Sequence, residues 1–494
     1  MSEYNHLFGR DCKLSGSVYA VSEIKGALSL IHGPAGCAFH QRLTPGRLYE
    51  PIYRLASTNI TERDVIYGSE ETLREQIKNT YKRYHPSLIV ILPTCVSALI
   101  GDDIHGICQD IKSQVPCDLI YVDSEGFSNR NRESADDLMQ EAAKSWIKPQ
   151  PNACEVRGCG QEEVVKALID QLMEEKDIIE NSVNLEIFGR YRGCFERCLK
   201  EIQKIFTDIG ISVNTTILGC TVDDIKRAPS AQLNIIMRDR MAAARMEEKF
   251  GTEYFRKRPN HYGIQGTERF FLEVASALSL EGEAESVLKF ETKRTLEKIA
   301  EIKNTLKNNI FAVSASGFLI NPYLTKVLKN DLGANIKYFV VNTQSLRNMN
   351  ASDETLKIML ENMEKLIEEW ELGFEFIINP RLETMRMISK KVDYILSDRP
   401  LPDNHAADIG AKVINLSPIS HLLFLTSFKG YVDIGRFLVM KTQNRTSIKR
   451  SYPIISRFRY NPIDYPLIQD DSCVASCEMW SEIWRHRRDE RSSQ

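Results

Sequence analysis

Three cysteines in the first hundred residues, Cys12, Cys37 and Cys95, have the side-chain type and the setting for thiolate ligation of a metal. Cys37 follows the apolar run 27–31 through a glycine-rich turn, and Cys95 follows the apolar run 88–92 after a proline and a threonine. Loops at strand ends are where an open α/β sheet places its ligand-binding groups. Soft thiolates select metals such as the iron of iron–sulfur clusters. The sequence therefore predicts a buried metal cluster at these strand ends.

The elements that must position these cysteines follow a regular alternation. Short apolar runs alternate with charged stretches of helical periodicity, a pattern that is typical of parallel sheets with crossover helices. One helix is predicted over 96–112 and a long amphipathic one over 286–308. The predicted strands are 88–92, 119–122, 185–188, 215–218, 310–313, 338–341, 374–378, 394–396 and 413–416.

A chain of 494 residues is too long for one hydrophobic core, and three domains is the natural expectation. The predicted class is α/β, with three Rossmann-like, doubly wound parallel-sheet domains. An N-terminal domain over 1–180 carries the three cysteines. A middle domain over 181–300, a third domain over 301–430 and a C-terminal extension over 431–494 follow.

The composition argues against several partners. Sixty-four basic and 67 acidic residues leave a formal net charge of −3, so nothing favours nucleic acid or an anionic membrane. The apolar runs are of strand length and are interrupted by charge, so no signal peptide or membrane span is predicted. We expect a cytoplasmic protein. In that reducing compartment, 12 cysteines indicate thiolate ligation or burial rather than a disulfide framework.

Several segments resemble the component 1 family of nitrogenases and nitrogenase-like enzymes, which includes cofactor-assembly scaffold proteins of nitrogen fixation. The resemblance spans roughly residues 5–430. The segments that carry it are Cys12 with the small-residue helix to Ala27, His-Gly-Pro-Ala-Gly-Cys at 32–37, Thr-Glu-Arg-Asp-Val-Ile-Tyr-Gly at 61–68, Thr-Cys-Val-Ser-Ala-Leu-Ile-Gly-Asp-Asp-Ile at 94–104, and 233–251.

The resemblance implies a body of three Rossmann-like domains that pairs with a homologous chain. In the family, three cysteines from each chain hold an iron–sulfur cluster at the contact, and the matching positions here are Cys12, Cys37 and Cys95. The implied assembly is a heterodimer or an α2β2 complex, with a homomer as the alternative. An ATP-dependent iron–sulfur reductase of the family would dock over the cluster and deliver electrons singly.

A second, larger iron–sulfur cofactor is the other implied group. In the catalytic chain of nitrogenase, a cysteine on a middle-domain helix and a histidine in the third domain hold it. The corresponding stretch here, 233–241, is predicted to be helical and contains no cysteine. Cys220 could replace that thiolate from another direction, and His421 stands near the expected histidine position. Arg238 could hold a carboxylate or the cofactor's organic acid.

Each candidate has a simpler structural interpretation beside it. His421 can be a hydrogen-bonded core or loop histidine, and Arg238 can form a salt bridge on a helix face. Cys108 and Cys117 are interpreted as small apolar core residues. His32 is expected to orient the loop that follows it through a backbone hydrogen bond.

Three functions remain open. The preferred hypothesis is a nitrogenase-like oxidoreductase subunit that passes electrons through the interfacial cluster to a reductive site. The second is a scaffold on which an iron–sulfur cofactor precursor matures before transfer. The third is a subunit of a tetrapyrrole reductase, in which the cavity holds a macrocycle and needs no cysteine on the middle helix.

Overall fold

The computed structural model describes most of the chain as helices and parallel strands. The described residues are 13–47, 55–125, 159–186, 194–217, 219–236, 240–315, 322–347, 352–397, 409–416 and 424–443. Three separate parallel sheets of four, four and five strands lie in this part, so the predicted α/β class with three doubly wound sheets is confirmed. Over the same ranges, no helix combines the length and the apolar character needed to span a membrane.

The first sheet has the strand order β2-β1-β3-β4. Its two central strands, β1 and β3, are buried at all six positions each. Such continuous burial explains their uninterrupted apolar sequences, because helices cover both faces of a parallel sheet. The elements of this part are α1 (Lys13–Ser22), β1 (Ala27–His32), α2 (Ala35–Arg47), β2 (Leu55–Ser57), α3 (Glu62–Tyr67), α4 (Glu70–Tyr84), β3 (Leu88–Pro93), α5 (Cys95–Ile100), α6 (Ile104–Ile111), β4 (Asp118–Tyr121) and α7 (Cys159–Gln171).

One helix predicted over 96–112 is in fact two helices, α5 and α6. Gly101 ends α5 in the left-handed conformation, with φ 82°. Asp103 then caps α6 by accepting a hydrogen bond from the Gly106 N–H at 2.9 Å. Local capping therefore outweighs the helical periodicity that runs through this stretch.

The middle sheet has the order β6-β5-β7-β8. The helix predicted over 233–241 is wrong for residues 233–236, which belong to β7 and pair in parallel with β5 and β8. The helix of this stretch, α10, begins only at Arg240. The Leu-Asn-Ile-Ile sequence of β7 is buried on both faces, and β-branched residues suit that setting. The elements are β5 (Ile179–Glu186), α8 (Cys194–Ile209), β6 (Ser212–Ile217), α9 (Val222–Lys226), β7 (Ala231–Ile236), α10 (Arg240–Phe250), β8 (Glu253–Arg256) and α11 (Ile264–Ala277).

The third sheet has the order β11-β10-β9-β12-β13, and the long helix α12 leads into it. Helix α17 packs back on α12, and one continuous apolar cluster joins these helices to the middle and third sheets. The domain boundaries stay predictions. The elements are α12 (Glu281–Leu306), β9 (Ile310–Ala315), α13 (Pro322–Lys326), β10 (Asn335–Val341), α14 (Gln344–Arg347), α15 (Asp353–Glu369), β11 (Glu375–Ile378), α16 (Leu382–Lys391), β12 (Tyr394–Ser397), β13 (Val413–Asn415) and α17 (Phe428–Gln443).

Candidate metal centre

The two described cysteines of the predicted ligand set follow neighbouring strands at the switch point of the first sheet. From β1 the chain crosses to β2 on one side, whereas β3 and β4 lie on the other side. Strands β1 and β3 pair in register along their whole length, so that His32 stands opposite Pro93. The loops after them therefore leave the sheet side by side. This is the position where doubly wound sheets bind ligands.

Both thiols are presented from the first turn of a helix and are half-buried. Cys37 lies in the first turn of α2, where its N–H donates to the Pro34 carbonyl at 3.1 Å, and it packs against the core beneath α1. Cys95 is the first residue of α5. Thr94 precedes it as N-cap, and the Thr94 N–H donates to the Ser97 hydroxyl at 2.9 Å.

The two loops are in direct contact. The Thr94 N–H donates to the His32 carbonyl at 3.0 Å, and the Ser97 hydroxyl donates to the same carbonyl at 2.8 Å. A Cβ added to Gly33 would lie 2.3 Å from the Thr94 side chain, so only glycine allows this approach. The position of Cys95 is thereby linked to the backbone that leads to Cys37.

Beneath these loops lies a buried polar cluster, which we call the His32 network: His32, Thr58, Ser69 and Asp102. The imidazole is fully buried, with Nδ1 3.2 Å from the Thr58 hydroxyl and Nε2 3.1 Å from Asp102 Oδ2. Asp102 also accepts hydrogen bonds from the Ser69 hydroxyl and, at 3.1 Å, from the Ser69 N–H. Burial lowers the pKa of His32, and the carboxylate of Asp102 acts in the opposite direction.

Sequence reasoning anticipated an orienting role for His32 but not its partners. The partners of the ring are side chains, whereas the prediction was a backbone hydrogen bond. Thr58, Ser69 and Asp102 come from three separate segments, and only the polar sequence Gly-Asp-Asp at 101–103 could have drawn attention to one of them.

Large apolar side chains are exposed on the helices next to the two cysteines, and we call this set the apolar rim. Helix α3 buries none of its residues, and it contacts α5. The side chains of the rim are 48–81% exposed: Phe39, Val65, Ile66, Tyr67 and Leu99. Contiguous exposed apolar surface is common where one protein binds another.

The third predicted ligand, Cys12, lies outside the described residues, immediately before α1. The start of α1 is held firmly. A Cβ on Gly160 of α7 would lie 2.1 Å from the Lys13 carbonyl oxygen, and the Ser17 hydroxyl donates to the Gly160 carbonyl at 3.1 Å. Across the described ranges, no three His, Cys, Asp or Glu side chains converge as a metal site.

The residues predicted for a second cofactor are less well placed by the structure. Cys220 follows β6, is 5% exposed and packs in the apolar cluster between the middle sheet and α1, where its carbonyl accepts the Lys25 N–H at 2.8 Å. Arg238 and His421 lie outside the described residues. Ligand roles for these three residues stay predictions.

Three doubly wound parallel sheets, with two thiols at the switch point of the first, define an α/β protein of the class that binds ligands at strand ends. The family model described as nitrogenase component 1 type oxidoreductase matches residues 12–398. The chain belongs to this family, as the sequence motifs predicted.

Named relatives fall into two groups. The chain is 28% identical to a nitrogenase iron-molybdenum cofactor biosynthesis protein NifE of Methanococcus maripaludis, over 62% of this chain and 60% of the relative. It is 25% identical to a nitrogenase molybdenum-iron protein alpha chain of Methanosarcina barkeri, over 67% and 59%. These alignments thus span about three fifths of the length of the curated relatives. The structure described as nitrogenase Cp1 at pH 5 has the same fold, with a TM-score of 0.59 and 17% identity over 88% of this chain and 89% of that one.

Proposed function

We propose that this chain is a component 1-type subunit that shares an iron–sulfur cluster with a homologous partner chain and passes electrons through it to a reductive site. The observation that carries the proposal is the placement of Cys37 and Cys95 on neighbouring strand ends within an exposed apolar rim. A cluster bound there would supply one-electron transfer. The residues of this chain would hold it, exclude water from it and bind the partner.

The donor set fits such a cluster. Thiolates are the protein ligands of iron–sulfur clusters, and both thiols here are half-buried beside apolar side chains. Two described thiols do not complete a site, so Cys12 and the cysteines of a partner chain are the natural remaining ligands. The apolar rim would be covered when that partner binds, which also keeps water away from the sulfur atoms.

The test is anaerobic purification with the chain that co-purifies, followed by iron and acid-labile sulfide analysis and electron paramagnetic resonance. Cys37→Ala and Cys95→Ala should each remove the interfacial cluster and loosen the dimer. Cys108→Ala is the matched control, because Cys108 is buried in the apolar cluster on the other side of the first sheet. If Cys95→Ala and Cys108→Ala both kept the full iron content, the cluster assignment would be wrong.

A scaffold for maturation of an iron–sulfur cofactor is the second candidate, and two observations favour it. NifE proteins are prominent among the relatives, and the stretch from β7 through α10 contains no cysteine that could hold a finished cofactor as in the catalytic chain. A scaffold should carry iron beyond the interfacial cluster and transfer it to a cofactor-free molybdenum–iron protein. A catalyst should instead turn over with an ATP-dependent reductase.

If the purified complex contains only enough iron for the interfacial cluster, the scaffold function loses its support. Such an iron content would favour an organic substrate in place of the second cofactor, as in a tetrapyrrole reductase. Double-bond reduction of a tetrapyrrole by the reconstituted complex is the assay that distinguishes this outcome from an incompletely loaded scaffold.

A further inference from the structure

The His32 network joins four segments that are distant in sequence. His32 ends β1, Thr58 follows β2, Ser69 lies between α3 and α4, and Asp102 lies between α5 and α6. All four side chains are at least 97% buried. A satisfied buried polar cluster of this kind rigidifies every segment that contributes to it.

The hydrogen bonds determine the tautomer of the ring. Asp102 is a pure acceptor and already receives the Ser69 hydroxyl and N–H, so His32 Nε2 carries the proton and donates to it. Nδ1 then accepts from the Thr58 hydroxyl, whose oxygen accepts the Gly33 N–H at 3.0 Å. The ring is therefore held at both nitrogens, and the second bond reaches the loop that leads to Cys37.

The backbone of the same residue holds the other cysteine loop. The His32 carbonyl accepts from the Thr94 N–H and the Ser97 hydroxyl, which flank Cys95. A rotation or shift of His32 would displace both loops together.

We propose that His32 is a positioning residue for the thiols of Cys37 and Cys95, and that Asp102 and Ser69 act by holding its ring. The network keeps the two sulfur atoms at the separation that the cluster needs before any metal arrives. This inference rests on the proposed function, because that proposal assigns the two thiols as cluster ligands. It adds buried residues that would support the ligands from beneath their loops.

The first experiment uses the metal-free full-length protein. The rates of iodoacetamide alkylation of Cys37 and Cys95 are followed by peptide mass spectrometry, with the buried Cys108 and Cys117 as slow-reacting controls for global unfolding. His32→Leu removes both ring bonds and should raise both rates together by about tenfold, because the loops open more often. His32→Gln keeps a donor for Asp102 and should stay within about threefold of the unaltered protein.

Asp102→Asn and Asp103→Asn form a matched pair. The two changes remove the same charge at adjacent positions, but the Asp103 carboxylate caps α6 by accepting the Gly106 N–H, whereas that of Asp102 accepts from the His32 ring. Asparagine is also a good N-cap, so Asp103→Asn should behave as the unaltered protein. Asp102→Asn should raise the alkylation rates of both cysteines, as His32→Leu does. Ser69→Ala is a milder change that tests the same network if His32→Leu does not fold.

The second readout uses the reconstituted complex. His32→Leu and Asp102→Asn should shift the midpoint potential of the cluster and broaden its paramagnetic resonance signal, whereas His32→Gln restores both. A residue that merely supports the fold would lower thermal stability without moving the potential. The inference is overturned if Asp102→Asn and Asp103→Asn agree in both alkylation rate and potential.

Failure of the inference and failure of the proposed function give different results. If Cys37→Ala keeps its iron, the ligand assignment itself is wrong. If Cys37→Ala loses its iron while every variant of the His32 network matches the unaltered protein, the ligands stand and only the positioning role is rejected.

Discussion

Two buried polar clusters stabilise this chain in different surroundings. The His32 network lies under loops at the end of the first sheet, next to an apolar rim that is open to solvent. The second cluster lies around Lys257 and Tyr431, within the large apolar core that joins the middle and third sheets. The first cluster holds loops that we expect to bind a ligand, and the second holds two layers of the body together.

The contacts of the second cluster are entirely internal. Lys257 Nζ donates to the Leu425 carbonyl at 3.0 Å and the Thr426 hydroxyl at 2.7 Å, and it lies 4.2 Å from the centre of the Tyr262 ring. The Tyr431 hydroxyl lies 2.8 Å from the Leu425 carbonyl oxygen and 3.0 Å from the Gly263 nitrogen, whose N–H donates to it. The comparison shows that one buried polar cluster joins elements of the interior, whereas the other joins loops at the strand ends.

The largest expected effect is on partner binding at the apolar rim. Leu99→Asp places a carboxylate in the apolar rim, where Leu99 is 74% exposed, and should weaken association with the partner chain about 100- to 1,000-fold. The fold should be unaffected, because no core packing is lost. Analytical ultracentrifugation of the co-expressed chains measures the change. Leu382→Asp on α16 is the control, and equal weakening by both variants would contradict a role specific to the rim.

Tyr431→Phe, in the second cluster, should lower the stability of the fold. Loss of the hydroxyl leaves the Gly263 N–H and the Thr267 hydroxyl without this buried partner, so the free energy of unfolding should fall by about 1–3 kcal/mol. Urea unfolding followed by circular dichroism measures the fall. Tyr67→Phe, at a residue that is 81% exposed, should change the same quantity by less than about 0.5 kcal/mol. Equal losses of unfolding free energy in the two variants would contradict a stabilising role specific to the second cluster.

A pH effect should come from Lys257. Burial holds the pKa of its ammonium well below the usual range, whereas in the unfolded chain it titrates near about 10.4. Between these values the unfolded chain binds more protons, so this contribution to stability grows as pH rises and is lost as pH falls. Lys257→Met should flatten the rise between pH 7 and 9.5, by at most about 1.4 kcal/mol per pH unit. Lys289→Met, an exposed change on α12, should leave the slope unaltered; the opposite ranking would contradict the assignment.

The smallest expected effect is slow alkylation of two cysteines near the candidate site. Burial raises the pKa of Cys108 to about 12 and that of Cys117 to about 11. Both thiols should therefore stay protonated and react slowly with iodoacetamide in the folded metal-free protein at pH 8. Rapid alkylation of Cys108 would show that the first sheet opens as a whole, and it would weaken the distinction between its two faces.

Most strands could be predicted because parallel strands buried on both faces read as short apolar runs. Residues 88–92 and 338–341 are examples, and these two strands extend one and three residues beyond the predicted limits. The stretch 233–241 misled the prediction because its resemblance to a family helix concealed a strand of the same apolar character. An apolar run of four residues does not distinguish a buried strand from a helix by periodicity.

The sequence by itself determined the α/β class, the family and the two thiols that follow strand ends, since each depends on local pattern and residue type. Only the tertiary structure decided that β1 and β3 are neighbours, and that residues 58, 69 and 102 converge on His32. Strand order and polar convergence depend on pairing between distant segments. The free energy of that pairing comes from burial and hydrogen bonds that exist only when the whole sheet has formed.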